Sequence, residues 1–212
     1  MEKYKNRSVA GKMLANNLQN YAKQADVFVL GLPRGGVPVA YEIAISLSAP
    51  LDVFIVRKLG VPGHEELAFG AISMGGLVVF NEDIMRHSHI SENIIQNVIA
   101  EQEQELHRRE IRYRGDKPLP SFKNKKIILV DDGIATGATM RAAINALRRL
   151  QPAFIIMAVP VMAETVYEAM RSMVDKVVCP LVEEDFYAVG AYYDDFEQTT
   201  DEEVSMLLKN AK

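Results

Sequence analysis

The chain has a single cysteine, Cys179, which excludes an intrachain disulfide and any cysteine-based metal cluster. Cys179 lies in the apolar run Val177-Val178-Cys179 and suits a buried small hydrophobe. Long apolar runs are also missing: none approaches the roughly 20 residues needed to span a bilayer. The opening stretch Met-Glu-Lys-Tyr-Lys-Asn-Arg lacks the apolar centre of a signal peptide, so a cytoplasmic location is the expectation. Basic residues are in deficit: the net charge is −4 and the pI about 5.6. That argues against broad nucleic-acid binding, which needs basic patches, but leaves room for a local basic pocket. Internal repeats, low-complexity tracts and Pro/Gly-rich linkers are absent. Neither nucleic acid nor a membrane is therefore an expected partner.

What is present fits one α/β domain. The 212 residues suffice for a sizeable core. Strand-like apolar runs alternate with helical patterns, which points to a doubly wound, mostly parallel sheet. A first helix is expected from Ser8 to about Lys23, with Val9, Met13, Leu14 and Leu18 on one face. Val27 to Gly31 reads as a strand, Val37 to Leu47 as a helix and Leu51 to Val56 as the next strand. Phe69 to Ser73 and Leu77 to Phe80 flank Met74-Gly75-Gly76 as a hairpin. A long helix follows Ser91 and ends near Gly115. Phe154 to Val159 is another strand, Glu164 to Met173 a helix, Val174 to Cys179 a last core strand, and Glu202 to Lys209 a terminal helix.

The most informative run is Ile127-Ile-Leu-Val-Asp-Asp-Gly-Ile-Ala-Thr-Gly-Ala-Thr139. A buried strand ends in two carboxylates, Asp131 and Asp132, and a short loop then opens a helix. Ligands of α/β sheets bind at the carboxyl ends of strands. A helix N-terminus offers free N–H groups and a positive dipole end to a phosphate. Gly137 lets the backbone approach the anion. Thr136 and Thr139 can donate to phosphate oxygens, while Asp131 and Asp132 can accept from a pair of sugar hydroxyls. An ordinary capped turn would need one acidic residue, not this set. Leu30-Gly-Leu-Pro-Arg-Gly-Gly-Val37 repeats the physics. Gly35 and Gly36 expose backbone N–H groups, and Arg34 adds a charge able to bind an anion in bidentate fashion.

These loops resemble those of type I phosphoribosyltransferases, and Leu-Pro-Arg-Gly-Gly-Val, Val-Arg-Lys-Leu-Gly and Val-Gly-x-x-Tyr-x-Asp-Phe are similar to an uncharacterised bacterial branch of that family over nearly the full length. The resemblance implies a single domain over residues 1–212, with a core at about 8–180, a small C-terminal hood at about 181–200 and a flexible loop. It assigns Asp131 and Asp132 to the ribose hydroxyls. It assigns Ala135, Thr136, Gly137, Ala138 and Thr139 to the 5-phosphate, and Arg34, Gly35 and Gly36 to pyrophosphate. The basic pair Arg57-Lys58 is expected at pyrophosphate too. Strand alternation sends neighbouring side chains to opposite faces, so one of them, Lys58 by preference, should reach the site. A solvated strand end is the other reading of this pair.

The stretch Gly60 to Leu67 matches the family's closing loop, and His64, Glu65 and Glu66 are its ionisable groups. The hood resembles that of purine phosphoribosyltransferases: Tyr187 matches a base-stacking aromatic residue and Asp194 an acidic residue beyond the Gly, which points to a purine; Phe186 suits the core. The pattern departs from the hypoxanthine–guanine branch, where an Asp precedes Thr-Gly and a Lys follows it; here Ala135 and Ala138 stand instead, so the base stays open. The long helix carries Arg108, Arg109, Arg112 and Arg114 among Glu101, Glu103, Glu105 and Glu110. It reads as a solvated helix laced with ion pairs, or alternatively as a dimer contact or an anion site.

The implied activity is transfer of ribose 5-phosphate from 5-phosphoribosyl 1-pyrophosphate to a nitrogenous base, with Arg34, Lys58, Asp131 and Asp132 as its catalytic set. Mg²⁺ would be held mainly by donor oxygens and water. The resemblance also makes a homodimer plausible. A non-catalytic regulator that senses the donor or a nucleotide shares these loops, and a generic sugar-phosphate-binding domain is a third reading.

Overall fold

A computed structural model describes residues 3–87 and 90–211, without the side chains at positions 65 and 66. Five strands, β1 (Val27–Gly31), β2 (Leu51–Val53), β6 (Lys126–Val130), β7 (Phe154–Ala158) and β9 (Lys176–Val178), form a sheet in the order β2-β1-β6-β7-β9. Every pairing in it is parallel. The doubly wound expectation holds. Helices α1 (Arg7–Asn17) and α2 (Gly36–Leu47) cover one face, where Leu14, Val39, Ile43 and Leu47 pack on Val29, Ile128 and Ile156. Helices α4 (Glu92–Arg114), α5 (Ala138–Arg149), α6 (Glu164–Met173) and α7 (Asp201–Asn210) send Leu106, Ile144, Met170 and Val204 to the other, against Ile127, Leu129 and Ile155. The central strands are apolar on both faces because helices cover both.

A second sheet is antiparallel: β3 (Val56–Val61), β4 (His64–Ser73) and β5 (Leu77–Phe80) in that order. Helix α3 (Glu82–His87) follows it. A two-stranded parallel ribbon, β8 (Val161–Ala163) with β10 (Leu181–Glu183), completes the architecture.

Three expectations are corrected. The first helix stops at Asn17, with a 3₁₀ turn over Gln19–Tyr21, and Met13 lies outside its buried face, half-exposed. Small residues set that face instead: a Cβ on Gly11 would lie 2.7 Å from the Val39 carbonyl oxygen, so α1 and α2 meet almost backbone to backbone. The strand expected over Leu51 to Val56 ends at Val53, and Val56 opens a strand of the other sheet. The stretch Gly60 to Leu67 is hairpin rather than irregular loop, with Val61 paired to His64 around Pro62-Gly63.

The long helix is more than a solvated rod. Arg108 and Arg109 both bind Glu105, which drops that carboxyl to about 2. Its last turn is docked: buried Arg114 donates to both oxygens of Asp52 at 3.0 and 3.1 Å, and Tyr113 Oη donates to Asp201 Oδ1 at 2.6 Å.

Candidate active site at the carboxyl end of the central strands

Strands β1 and β6 are neighbours in register, with Gly31 beside Val130, so the loops that follow them emerge side by side. That adjacency brings the Arg34-Gly35-Gly36 loop onto the acidic pair. A Cβ on Gly35 would stand 2.0 Å from Asp132 Oδ2, and one on Gly36 would stand 2.6 Å from the Val130 carbonyl and 3.2 Å from Asp131 Oδ1. Only glycine fits at both positions. The peptide linking Pro33 to Arg34 is cis.

The carboxylates are arranged with care for their oxygens. Asp131 Oδ1 accepts from the Asp132 backbone N–H at 2.9 Å. Asp132 Oδ2 accepts from Arg7 Nε at 2.8 Å, and the Asp132 carbonyl accepts from Tyr193 Oη at 2.6 Å. The two carboxyl groups also share a hydrogen bond, and no buried side-chain oxygen among the described residues is left unsatisfied. Burial lifts the Asp131 carboxyl well above the usual range, and the charge of Asp132 adds to it. Burial also lifts Asp132, against the opposing hydrogen bond and charge of Arg7. Burial, aided by the charge of Asp132, raises the Tyr193 phenol. A pair of strained carboxylates beside a cradle is a pattern typical of functional sites.

The loop expected to cradle the phosphate borders a cavity of about 190 Å³ lined by Asp131, Gly133, Ile134, Ala135, Thr136, Gly137, Ala138, Thr139, Met140 and Val189. Gly137 caps α5 at φ 72°, a conformation that disfavours a side chain. Arg141 Nη2 donates to the Thr136 carbonyl at 2.6 Å and fastens the loop to the first turns of α5.

The remaining expected residues are dispersed. Arg34 lies at the loop, but its guanidinium sits 3.7 Å from Asp201 Oδ1, at the start of α7. Arg57 turns to α4, donating to Gln102 Oε1 at 2.9 Å, which does not bring it to the acidic pair. Lys58 faces the opposite way, as alternation requires, into a cleft of about 390 Å³ between the second sheet and α5, shared with Arg141, Asn81 and Asn145. That cleft meets the cradle at Ala138, which lines both. His64 is exposed at the hairpin tip, and the Glu65 and Glu66 side chains lie outside the described residues. In the C-terminal segment Tyr187 is 86% exposed, free of the core, while Phe186 stacks on buried Tyr192 with centroids 5.2 Å apart. Asp194 is exposed; its neighbour Tyr193 is the residue that reaches the pair.

Arg7, Tyr193 and Arg141 escaped the sequence reading. Arg7 had no motif around it. Tyr193 stood beside the residue chosen by resemblance, and Arg141 lay just past the loop that was read.

Comparison with known proteins agrees with this geometry. Residues 2–197 match the family described as phosphoribosyl transferase domain. A protein of Mycobacterium tuberculosis strain H37Rv, provisionally named a phosphoribosyl transferase, is 43% identical over 211 residues, all of this chain but 47% of that protein. The chain thus spans about half the length of the curated relatives it matches. The crystal structure of TT1426 from Thermus thermophilus is 40% identical, covers 99% of both chains and superposes with a TM-score of 0.88. The AQ2163 protein from Aquifex aeolicus shares the fold at 12% identity, over 95% of this chain and 84% of that one, with a TM-score of 0.50.

Proposed function

Because the chain belongs to the phosphoribosyl transferase domain family, we propose that it transfers ribose 5-phosphate from 5-phosphoribosyl 1-pyrophosphate to a nitrogenous base and releases pyrophosphate. One observation carries this reading: two adjacent carboxylates lie between a glycine loop and a cavity at the N-terminus of a helix. In this reading the two carboxylates accept from the ribose 2- and 3-hydroxyls. The 5-phosphate enters the cradle under the amides of Thr136 to Thr139, and the pyrophosphate meets the Gly35 and Gly36 amides.

During transfer the bond from C1 of ribose to pyrophosphate breaks and a bond from C1 to a base nitrogen forms. Positive charge develops on the ribose meanwhile, and the ionised pair stabilises it. Arg34 would answer the growing charge on pyrophosphate by exchanging Asp201 for it, while Lys58 and Arg141 extend positive charge along the edge of the cradle. Tyr187, standing clear of the core, offers a face on which a flat base can stack. A purine is favoured by the hood resemblance, with the chain acting as a salvage enzyme.

Among the described residues no group of three or more His, Cys, Asp or Glu side chains could cage a metal. Mg²⁺ would instead be held mainly by the donor's own oxygens and by water. When bound, such an ion would neutralise the departing pyrophosphate.

The test is incubation with the donor, Mg²⁺ and single bases (adenine, hypoxanthine, guanine, xanthine, uracil, orotate), following pyrophosphate release. Release that depends on one base and is lost in Asp132→Asn supports the reading and names the acceptor. Mg²⁺-dependent donor binding without release from any base would favour a regulator instead.

A further inference from the structure

Arg7 is out of place by ordinary helix rules. It is the first residue of α1, where the positive end of the dipole disfavours a cation. Its side chain is only 12% exposed, and an Arg is rarely buried without a fixed partner. Three contacts hold it: Nε to Asp132 Oδ2 at 2.8 Å, Nη1 to the Glu197 carbonyl at 2.7 Å, and the guanidinium 3.9 Å above the Phe196 ring. The segment before it is tied to the same place, for Tyr4 N donates to the Tyr192 carbonyl and Asp194 N to the Tyr4 carbonyl. Local rules broken at a site with specific compensating contacts mark function more often than folding.

We infer that Arg7 is a positioning residue for the acidic pair: it holds Asp132 Oδ2, fixes the orientation of that carboxylate, and supplies the one cation that faces the two carboxylates among the described residues. The groups facing Asp132 are Arg7 from α1, Asp131 beside it and Tyr193 from the C-terminal segment, so Arg7 is the cation that opposes the mutual repulsion of the pair, with the Asp132 backbone N–H assisting. Residues from opposite ends of the chain thereby set the charge of a strand end in its middle. This rests on the reading of the pair as the ribose site. It assigns a role to Arg7 that the loops themselves do not require.

The experiment compares wild type, Arg7→Gln and Arg7→Lys. Carboxyl NMR follows the titration of Asp132 in each ligand-free protein. Calorimetry follows binding of the donor with Mg²⁺ across pH, and melting temperatures are taken in parallel. Arg7→Gln should move the Asp132 midpoint upward by about one pH unit or more, and shift the acidic limb of donor binding with it, about a tenfold loss at a pH on that limb. Arg7→Lys, which keeps the charge, should hold both near wild type while weakening binding at all pH values alike. An Asp132 titration unchanged in Arg7→Gln, with binding reduced only in step with the melting temperature, would overturn the inference. Wild type that fails to bind the donor at any pH overturns the ribose reading itself, and the titration then shows separately whether Arg7 sets the charge of Asp132.

Discussion

A Cβ added to Gly35 would lie 2.0 Å from Asp132 Oδ2, closer than any real packing contact allows. The loop Arg34-Gly35-Gly36 and the acidic pair thus form one object, and a change in either moves the other. Gly35→Ala should push the Asp132 carboxylate or the loop aside, at a cost of about 1–3 kcal/mol as in other overpacked sites. Donor binding by calorimetry is expected to fall at least about tenfold, the equivalent of 1.4 kcal/mol. Circular dichroism should still show the native fold. Undiminished binding by Gly35→Ala would separate loop from pair and sink the arrangement proposed for them.

Asp132→Asn removes one charge while keeping shape and one acceptor oxygen. A hydrogen bond to a charged group contributes about 1.5–3 kcal/mol, which corresponds to a loss of roughly 10- to 100-fold in turnover. Pyrophosphate release with the best base should drop by that factor, with the fold intact. A variant that works at the wild-type rate would remove this carboxylate from the mechanism.

Much of this site could be read from contiguous residues. The run from Ile127 to Thr139 places strand, acidic pair, loop and helix start within a few positions, so local chemistry suffices. Arg7 could not be found that way, since its partner Asp132 is 125 positions distant. Tyr193, 61 positions from Asp132, is another contact that only the fold creates. Alternation did separate Arg57 from Lys58, but not which sheet held them. The apolar run Val53-Phe54-Ile55-Val56 hides the place where the chain leaves one sheet for the other. There Phe54 N bonds the Gly31 carbonyl and Met74 N bonds that of Ile55, so hydrophobicity continues while pairing changes partners. The periodicity of α1 misled for a related reason: Gly11 and Ala10 pack where larger residues were expected, because α2 comes too close.

Arg34 and Asp201 sit 3.7 Å apart, both partly exposed, in a pair that pyrophosphate binding would have to break. Exposed pairs are worth about 0.2–1 kcal/mol. Asp201→Asn should therefore tighten binding of pyrophosphate with Mg²⁺ by up to about fivefold. Tyr113 can still donate to the amide oxygen, which should preserve the docking of α4 on α7. Weaker binding in this variant would mean that Asp201 holds Arg34 ready rather than competing for it.

Cys179 is raised to about 12 by burial, its thiol donating to the Leu181 carbonyl at 3.1 Å. Thiolate is the reactive form, so this cysteine should resist alkylation. At pH 8, iodoacetamide should label the folded protein far more slowly than the same chain in denaturant, as read by intact mass. Rapid labelling of the native protein would contradict the burial.

The last prediction concerns what the site costs the fold. Burial, followed by the charge of Asp132, lifts Asp131 well above the ordinary carboxylate range, with the Asp132 N–H and Arg7 pulling the other way. In the unfolded chain Asp131 should ionise near the usual value of about 3.9. Between that pH and its raised folded value, the folded protein keeps a proton that the unfolded chain has released. Stability must therefore fall as pH rises through this window and stay reduced above it. Asn carries no titrating proton and can still accept from the Asp132 N–H. Asp131→Asn should consequently melt above wild type at neutral pH, and the gap should close as pH falls toward 4. The same substitution should abolish most donor binding, because in the proposed reading Asp131 meets the ribose. Melting curves from pH 4 to 8 provide the check. A gap that does not vary with pH would show that Asp131 gains its proton no more readily in the folded protein than in the unfolded chain, and the strain assigned to the pair would have to lie elsewhere.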